Sequence, residues 1–190
     1  YGQIKVLDLG EAKRYLLVNG TCQSVARLPD MESDSEYVHA LEWAPLLRPR
    51  ARRALVIGVG AGLLPSAWQR WHGLVVDAVD IDPDITATAR EYFGYRPNGQ
   101  VFVEDGRTFL EREGPSYDLV VLDAFAAESP PYQLFSREAL LAMRRRLRPG
   151  GVLAVNIVSL LRAPGNGGWL AAYKTLRTVF PEVRSFAGSE

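Results

Sequence analysis

The chain is predicted to be an α/β domain: a mostly parallel sheet with helices on both faces, carrying a small antiparallel β piece at its N-terminal end. Three observations predict it. From Ala54 onward, short apolar runs alternate with helix-like patterns. The first of these runs, Ala54-Leu55-Val56-Ile57, breaks into a glycine turn, Gly58-Val59-Gly60-Ala61-Gly62. The later runs end in acids: Asp80-Ile81-Asp82, Asp105-Gly106 and Asp123. Strands that alternate with helices imply right-handed crossovers and a parallel sheet.

The elements follow in order. Residues 3–9 and 14–18 read as paired strands around Gly10-Glu11, and Asn19-Gly20 is a hairpin signal leading to a third strand at 21–27. Residues 28–35, polar and holding Pro29, read as a loop. Asp34 or Ser35 is placed to cap a helix over 36–47, with Pro45 expected to bend or end it. Then come a strand at 54–58, a helix at 63–71 with Pro65 in its first turn, and a strand at 74–80. Asp82-Pro83 opens a helix over 83–93. A strand at 100–104, a helix at 107–113, a strand at 117–122 and a helix at 136–147 follow. Pro149-Gly150-Gly151 reads as a stop and turn before a fifth strand at 152–158, a helix at 168–180 and a sixth strand at 183–186.

Composition narrows the partners. Lys+Arg and Asp+Glu both number 22, so net charge is zero, which argues against electrostatic capture of nucleic acid or of an anionic membrane. Cys22 is the one cysteine, so neither an intramolecular disulfide nor a thiolate metal cluster is expected. With His39 and His72 the two histidines, no metal site is expected either. No apolar run approaches the roughly 20 residues that span a bilayer, and no signal peptide is visible, so the expected location is cytoplasmic. The chain opens at Tyr1, without Met and already inside a strand-like pattern, and so reads as a piece of a longer protein. Arg48, Arg50, Arg52 and Arg53 are expected to form a solvated rim, and Arg144, Arg145, Arg146 and Arg148 a solvated helix end.

The chemistry gathers at the strand ends, because ligands of open parallel sheets sit beyond the carboxyl ends of the strands. Glycines let a ligand approach the backbone without meeting a Cβ, and the N–H groups of a new helix favour polar or anionic groups. Asp80, at the end of the second strand, is placed to accept from a ribose diol. Asp105 after the third strand can accept from an exocyclic amine such as that of adenine. Asp123 after the fourth lies where a reacting centre would sit. Asp82 reads as a helix cap.

This constellation resembles the class I S-adenosylmethionine-dependent methyltransferase fold, a Rossmann-like architecture, and within it the spermidine/spermine synthase (polyamine aminopropyltransferase) family. The matching pieces are Tyr1-Gly2-Gln3-Ile4-Lys5-Val6, Leu17-Val18-Asn19-Gly20-Thr21-Cys22-Gln23, the Tyr37 segment, Leu55 to Gly62, Val79-Asp80-Ile81-Asp82-Pro83, Asp105-Gly106-Arg107, Tyr117 to Asp123 and Pro149-Gly150-Gly151-Val152. The resemblance implies a β-hairpin subdomain over 1–30 and a cofactor-binding domain over 31–190. It implies S-adenosylmethionine or its decarboxylated form as cofactor, with S-adenosylhomocysteine or methylthioadenosine as product. Gly58, Gly60, Gly62, Asp80, Ile81, Asp105, Gly106 and Gln23 would lie on the cofactor side, with Gln23 near its tail. Tyr37 and Asp123 would face a small-molecule substrate, an amine in the family. A homodimer is the implied assembly.

Three positions depart from the family pattern. The glycine turn usually holds an aspartate for the aminopropyl ammonium of the decarboxylated cofactor; here it is Ala61. The loop after the fourth strand usually holds a second aspartate; here Asp123-Ala124-Phe125-Ala126 puts alanine there. Two positions after the family tyrosine a glutamate is usual; here it is His39. Each lost partner of a polycation in a desolvated pocket removes about 2–5 kcal/mol of charge pairing. Glu128, Asp34 or Glu36 are the candidate substitutes. The leading expectation is a transferase with altered substrate choice, acting on a less cationic acceptor. A polyamine synthase with relocated acids and a non-catalytic cofactor-binding domain of a larger protein are the competing expectations. An acidic floor near Glu128 would favour the former; a pocket filled by Phe125, Trp169 or Tyr132 would favour the latter.

Overall fold

The computed structural model describes residues 2–124, 132–157 and 167–186. The first sheet is antiparallel, in the order β1 (Ile4–Leu9), β2 (Lys13–Val18), β3 (Thr21–Arg27) and β4 (Glu32–Ser33). Asn19 and Gly20 both take positive φ, 51° and 80°, which matches the twist a tight hairpin needs. Residues 28–35 are not all loop: Glu32 and Ser33 pair with Arg27 and Ala26. The β2–β3 register slips once. Leu16 faces Ser24 and Leu17 faces Cys22, which leaves Gln23 as the extra residue of a β-bulge.

The second sheet is parallel throughout, in the order β7 (Val101–Val103), β6 (Val75–Asp80), β5 (Arg53–Ile57), β8 (Tyr117–Leu122), β9 (Leu147–Val155). Six helices accompany it among the described residues: α1 (Glu36–Glu42), α2 (Leu63–His72), α3 (Pro83–Tyr92), α4 (Gly106–Glu111), α5 (Arg137–Arg146) and α6 (Gly167–Val179). Alternation along β5 sorts the helices. Leu55 and Ile57 pack with Phe109 of α4, Met143 of α5 and Leu176 of α6, whereas Ala54 and Val56 pack with Leu41 of α1 and Trp68 of α2. Every residue of β8 is buried, as expected of a central strand covered on both faces. Leu16 and Ala26 of the first sheet share a third cluster with Val59, Ala61, Ile85 and Tyr95, so the lid sheet packs against the glycine turn and α3.

Several sequence expectations are corrected. The helix over 36–47 ends at Glu42, and a 3-10 turn with Pro45 in its first turn spans Ala44–Leu47. Ser35 occupies the N-cap position of α1 but makes no side-chain cap bond, while Asp34 pairs with Lys13. Pro149-Gly150-Gly151 is not a turn between elements. It lies within β9, whose pairing jumps from Leu147 opposite Tyr117 to Val152 opposite Leu119. Asp118 stabilises the excursion by accepting from Arg148 and Arg48, and Arg48 also donates to Gly150 O. Residues 183–186 form no strand. Arg53 is no solvated rim residue, for it pairs with the fully buried Asp77. Arg146 is buried as well, donating to Pro115 O and Arg112 O with Phe109 and Tyr117 against its guanidinium. Among the described residues no helix is long and apolar enough to cross a membrane.

Candidate active site

One row of backbone bonds aligns the carboxyl ends of the parallel strands. Glu104 N donates to Asp80 O, Gly58 N to Val79 O, Asp123 N to Ile57 O and Asn156 N to Leu122 O. Across the sheet the rim therefore reads Glu104-Asp105, Asp80, Gly58, Asp123, Asn156. Neighbouring strands lie about 4.8 Å apart, so the ends of β7 and β8 are separated by roughly 14 Å. That is room for an extended nucleoside-sized ligand laid across the rim.

Gly58 cannot be another residue without rearrangement. Its φ is +95°, and a Cβ there would meet Asp123 O at 2.3 Å. The turn thus crosses close over the end of β8. Asp80 holds it from the other side, accepting from Val59 N at 2.8 Å and from Asp82 N at 3.0 Å. Burial raises the Asp80 carboxyl above the usual carboxylate range, opposed by the N–H groups of Asp82, Val59 and Gly60. A carboxylate has about four lone-pair sites, so capacity remains to accept from a diol. Asp82 is the N-cap of α3, accepting from Asp84 N at 3.0 Å. Asp105 is the N-cap of α4 through Thr108 N and its hydroxyl, both on one oxygen, Oδ1. Its second oxygen makes no hydrogen bond to another described residue.

Asp123 stands at the end of β8, where Asn156 Nδ2 donates to its Oδ1 at 3.0 Å. Burial pushes this carboxyl up to about 7, with the Asn156 amide pulling it down. A group titrating there can accept a proton near neutral pH.

These residues line a cavity of about 390 Å³ between the rim and the lid sheet, within the range of ligand pockets. It brings together Tyr37, Gly58, Gly60, Asp80, Ile81, Asp105, Gly106, Asp123 and Gln23. Gly62 is not among its walls. That glycine, at φ +73°, lies where a Cβ would meet the Tyr95 ring at 2.5 Å, so it serves the packing of α2 on Tyr95. Tyr37 faces the cavity from α1, while His39, two residues on and turned about 200° around the helix axis, pairs with Glu42 instead. Ala61 is buried in the wall, and its N–H donates to Ser24 Oγ at 3.2 Å. Trp169 stacks on Tyr173 and is not a wall residue. Phe125, Ala126 and Glu128, with the Tyr132 side chain, lie outside the described residues.

Sequence reasoning missed Ser24, Glu104 and Asn156. Asn156 was accessible to the strand-end rule, but the fifth strand was expected to run to residue 158 and so hid its first residue beyond the edge. Ser24 was not accessible, because in a regular strand it would face away from its neighbour Gln23.

A parallel sheet with a glycine turn after its central strand, acids on the neighbouring strand ends and an antiparallel lid defines the class: a Rossmann-like, class I methyltransferase-like fold. Comparison with known proteins specifies it further. The Spermine/spermidine synthase domain family matches residues 37–161, and the chain belongs to that family. It is 34% identical over 147 residues to a polyamine aminopropyltransferase of Vibrio vulnificus, covering 74% of this chain and 48% of that protein. It is 32% identical over 146 residues to an N-terminal histidine N-methyltransferase of Emericella nidulans, covering 73% of this chain and 25% of that protein. The chain thus spans half or less of the length of these curated relatives. In fold it is similar to a probable spermidine synthase from Corynebacterium glutamicum, with TM-score 0.84, 20% identity, 95% of this chain and 68% of that chain covered.

Proposed function

We propose that this domain binds a sulfonium-bearing adenosine cofactor with an intact amino-acid tail and directs transfer of one of its groups to a small acceptor less cationic than a polyamine. The observation that carries this reading is the wall at Ala61. Acids and glycines suited to a nucleoside line the rim, yet an apolar residue occupies the turn position that in the family holds an acid for the decarboxylated tail.

The residues present fit such a cofactor. A Cβ at Gly58 would obstruct the turn, and Asp80, with Val59 N, Asp82 N and Gly60 N against it, keeps lone-pair capacity on its four sites. In this reading Asp105, at the end of β7, accepts from the adenine amine, with Gly106 behind it. Asp80, one strand over, accepts from the ribose hydroxyls, with Ile81 alongside. The turn Gly58–Gly62 faces the tail, Gln23 closes over it from the lid, and Tyr37 and Asp123 face the acceptor. When bound, the cofactor supplies an electrophilic carbon and a neutral thioether leaving group, so no acid is needed. An amine acceptor is protonated at neutral pH, with a reference value of about 10.4 for an alkylammonium. In this reading Asp123 takes its proton and holds the nitrogen in line.

A second reading is favoured by the name of the Vibrio vulnificus relative: aminopropyl transfer to a polyamine precursor. It requires carboxylates that replace the one absent at Ala61. Calorimetric titration with S-adenosylmethionine, its decarboxylated form and methylthioadenosine separates the two. The first reading expects the carboxylated form to bind more tightly. Tighter binding of the decarboxylated form would favour the second, and failure of all three to bind would sink both.

A further inference from the structure

Resting on the reading that a sulfonium nucleoside occupies this cavity, we propose that Ser24 is a specificity-determining residue whose hydroxyl donates to the carboxylate of the cofactor's tail. The argument begins with hydrogen-bond supply. A carboxylate at the glycine turn needs donors, and the turn's own N–H groups already have acceptors. Val59 N donates to Asp80, Gly60 N faces the same carboxylate, Ala61 N donates to Ser24 Oγ and Gly62 N to Val59 O. The turn itself therefore has little to offer a carboxylate, and the open backbone donors beside it are Leu63 N and Leu64 N, the first of α2, which line the same cavity.

The lid supplies what the turn lacks. In a regular strand, consecutive side chains point to opposite faces. The bulge that leaves Gln23 unpaired, between Leu16 opposite Ser24 and Leu17 opposite Cys22, breaks that alternation. Gln23 and Ser24 consequently both line the cavity. Ser24 Oγ lies 3.2 Å from Ala61 N, and a Cβ built on Gly60 would stand 3.1 Å from it. The hydroxyl thus accepts from the turn, and its own hydrogen makes no bond to another described residue. A hydroxyl polarised in this way, set from the lid against the turn that Asp80 holds through Val59 N, is a donor aimed at the tail of a ligand whose ribose sits on Asp80.

The test compares wild type with Ser24→Ala, Ser24→Asp and Ser24→Thr by calorimetric titration against S-adenosylmethionine, decarboxylated S-adenosylmethionine and methylthioadenosine. Methylthioadenosine lacks the amino-acid tail and reports whether the nucleoside site is intact in each variant. Expected are unchanged methylthioadenosine affinity, about tenfold weaker S-adenosylmethionine binding in Ser24→Ala, and recovery in Ser24→Thr. In Ser24→Asp, which accepts but cannot donate, the affinity ratio swings toward the decarboxylated form by on the order of a hundredfold. If methylthioadenosine still binds and the ratio stays the same in Ser24→Ala and Ser24→Asp, the inference is overturned while the proposed function stands. If wild type binds no methylthioadenosine, or prefers the decarboxylated form, the underlying reading falls and this one with it.

Discussion

Asn156 donates from Nδ2 to Asp123 Oδ1 over 3.0 Å, tying the end of β9 to the end of β8. The bond acts on a carboxyl whose burial holds it up near 7, against a reference of 3.8. The folded protein therefore holds this proton more tightly than the unfolded chain. The stabilisation is full below about pH 4, declines as pH rises, and is lost above about pH 7. Replacing Asp123 by Asn removes the buried charge. Thermal melts should show Asp123→Asn matching wild type at pH 4 and exceeding it at pH 8.5, by up to about 4 kcal/mol. Equal differences at both pH values would contradict the assignment.

The same bond stabilises the charged form of Asp123, so its loss raises the carboxyl further. If the proposed transfer is measured, Asn156→Ala should move the acid-side limb of its rate upward in pH by about one unit, with Asn156→Gln partly restoring it. The rate is read across pH 5–9 with whichever cofactor wild type prefers; a lower plateau with an unmoved midpoint would mean a purely structural role.

Gly58→Ala forces a Cβ into Asp123 O at 2.3 Å, at a φ of +95°. Backbone meets backbone there, so no rotamer change relieves it. Urea denaturation should show a loss of about 3 kcal/mol or more. A loss under about 1 kcal/mol would show that the turn can move away from β8.

Asp80 accepts from Val59 N and Asp82 N, with Gly60 N facing it as well, besides its proposed task on the ribose. Asp80→Asn keeps the shape and weakens acceptance. Methylthioadenosine affinity should fall on the order of a hundredfold while the fold persists by circular dichroism. Retained affinity would remove Asp80 from the nucleoside site.

Asp77, within β6, is fully buried and accepts from Arg53, Tyr117 OH and Gln100 N. Asp77→Ala leaves three donors facing an empty space. Because Arg53 is partly exposed, the lower end of the buried-pair range applies, about 3 kcal/mol, with ligand affinity unchanged in what remains folded. A loss of affinity greater than the loss of stability would tie Asp77 to the site instead.

Local signals carried most of the architecture. The apolar run at 54–57, the Asp82-Pro83 cap and the Asn19-Gly20 turn depend on neighbours a few residues away, and each stands in the structure where its pattern points. Elements whose fate depends on distant partners depart from their local patterns. Pro149-Gly150-Gly151 has the local chemistry of a stop, yet Arg48 and Asp118 hold it as an excursion within β9. Arg146 has the look of a solvated helix end, yet the carbonyls of Arg112 and Pro115 receive it in the interior.

The candidate site divides in the same way. That glycines and acids stand at successive strand ends follows from the sequence, because strand and helix periodicity are properties of adjacent residues and the parallel crossover rule places all those ends on one edge. Which of them share a cavity is a matter of long-range packing. It set Gly62 against Tyr95 rather than in the wall, turned Tyr37 inward and His39 outward, joined Asn156 to Asp123 and, through one unpaired residue in β3, aimed Ser24 at the turn. Those outcomes depend on packing between segments tens of residues apart, where shape and burial, not local preference, select the arrangement.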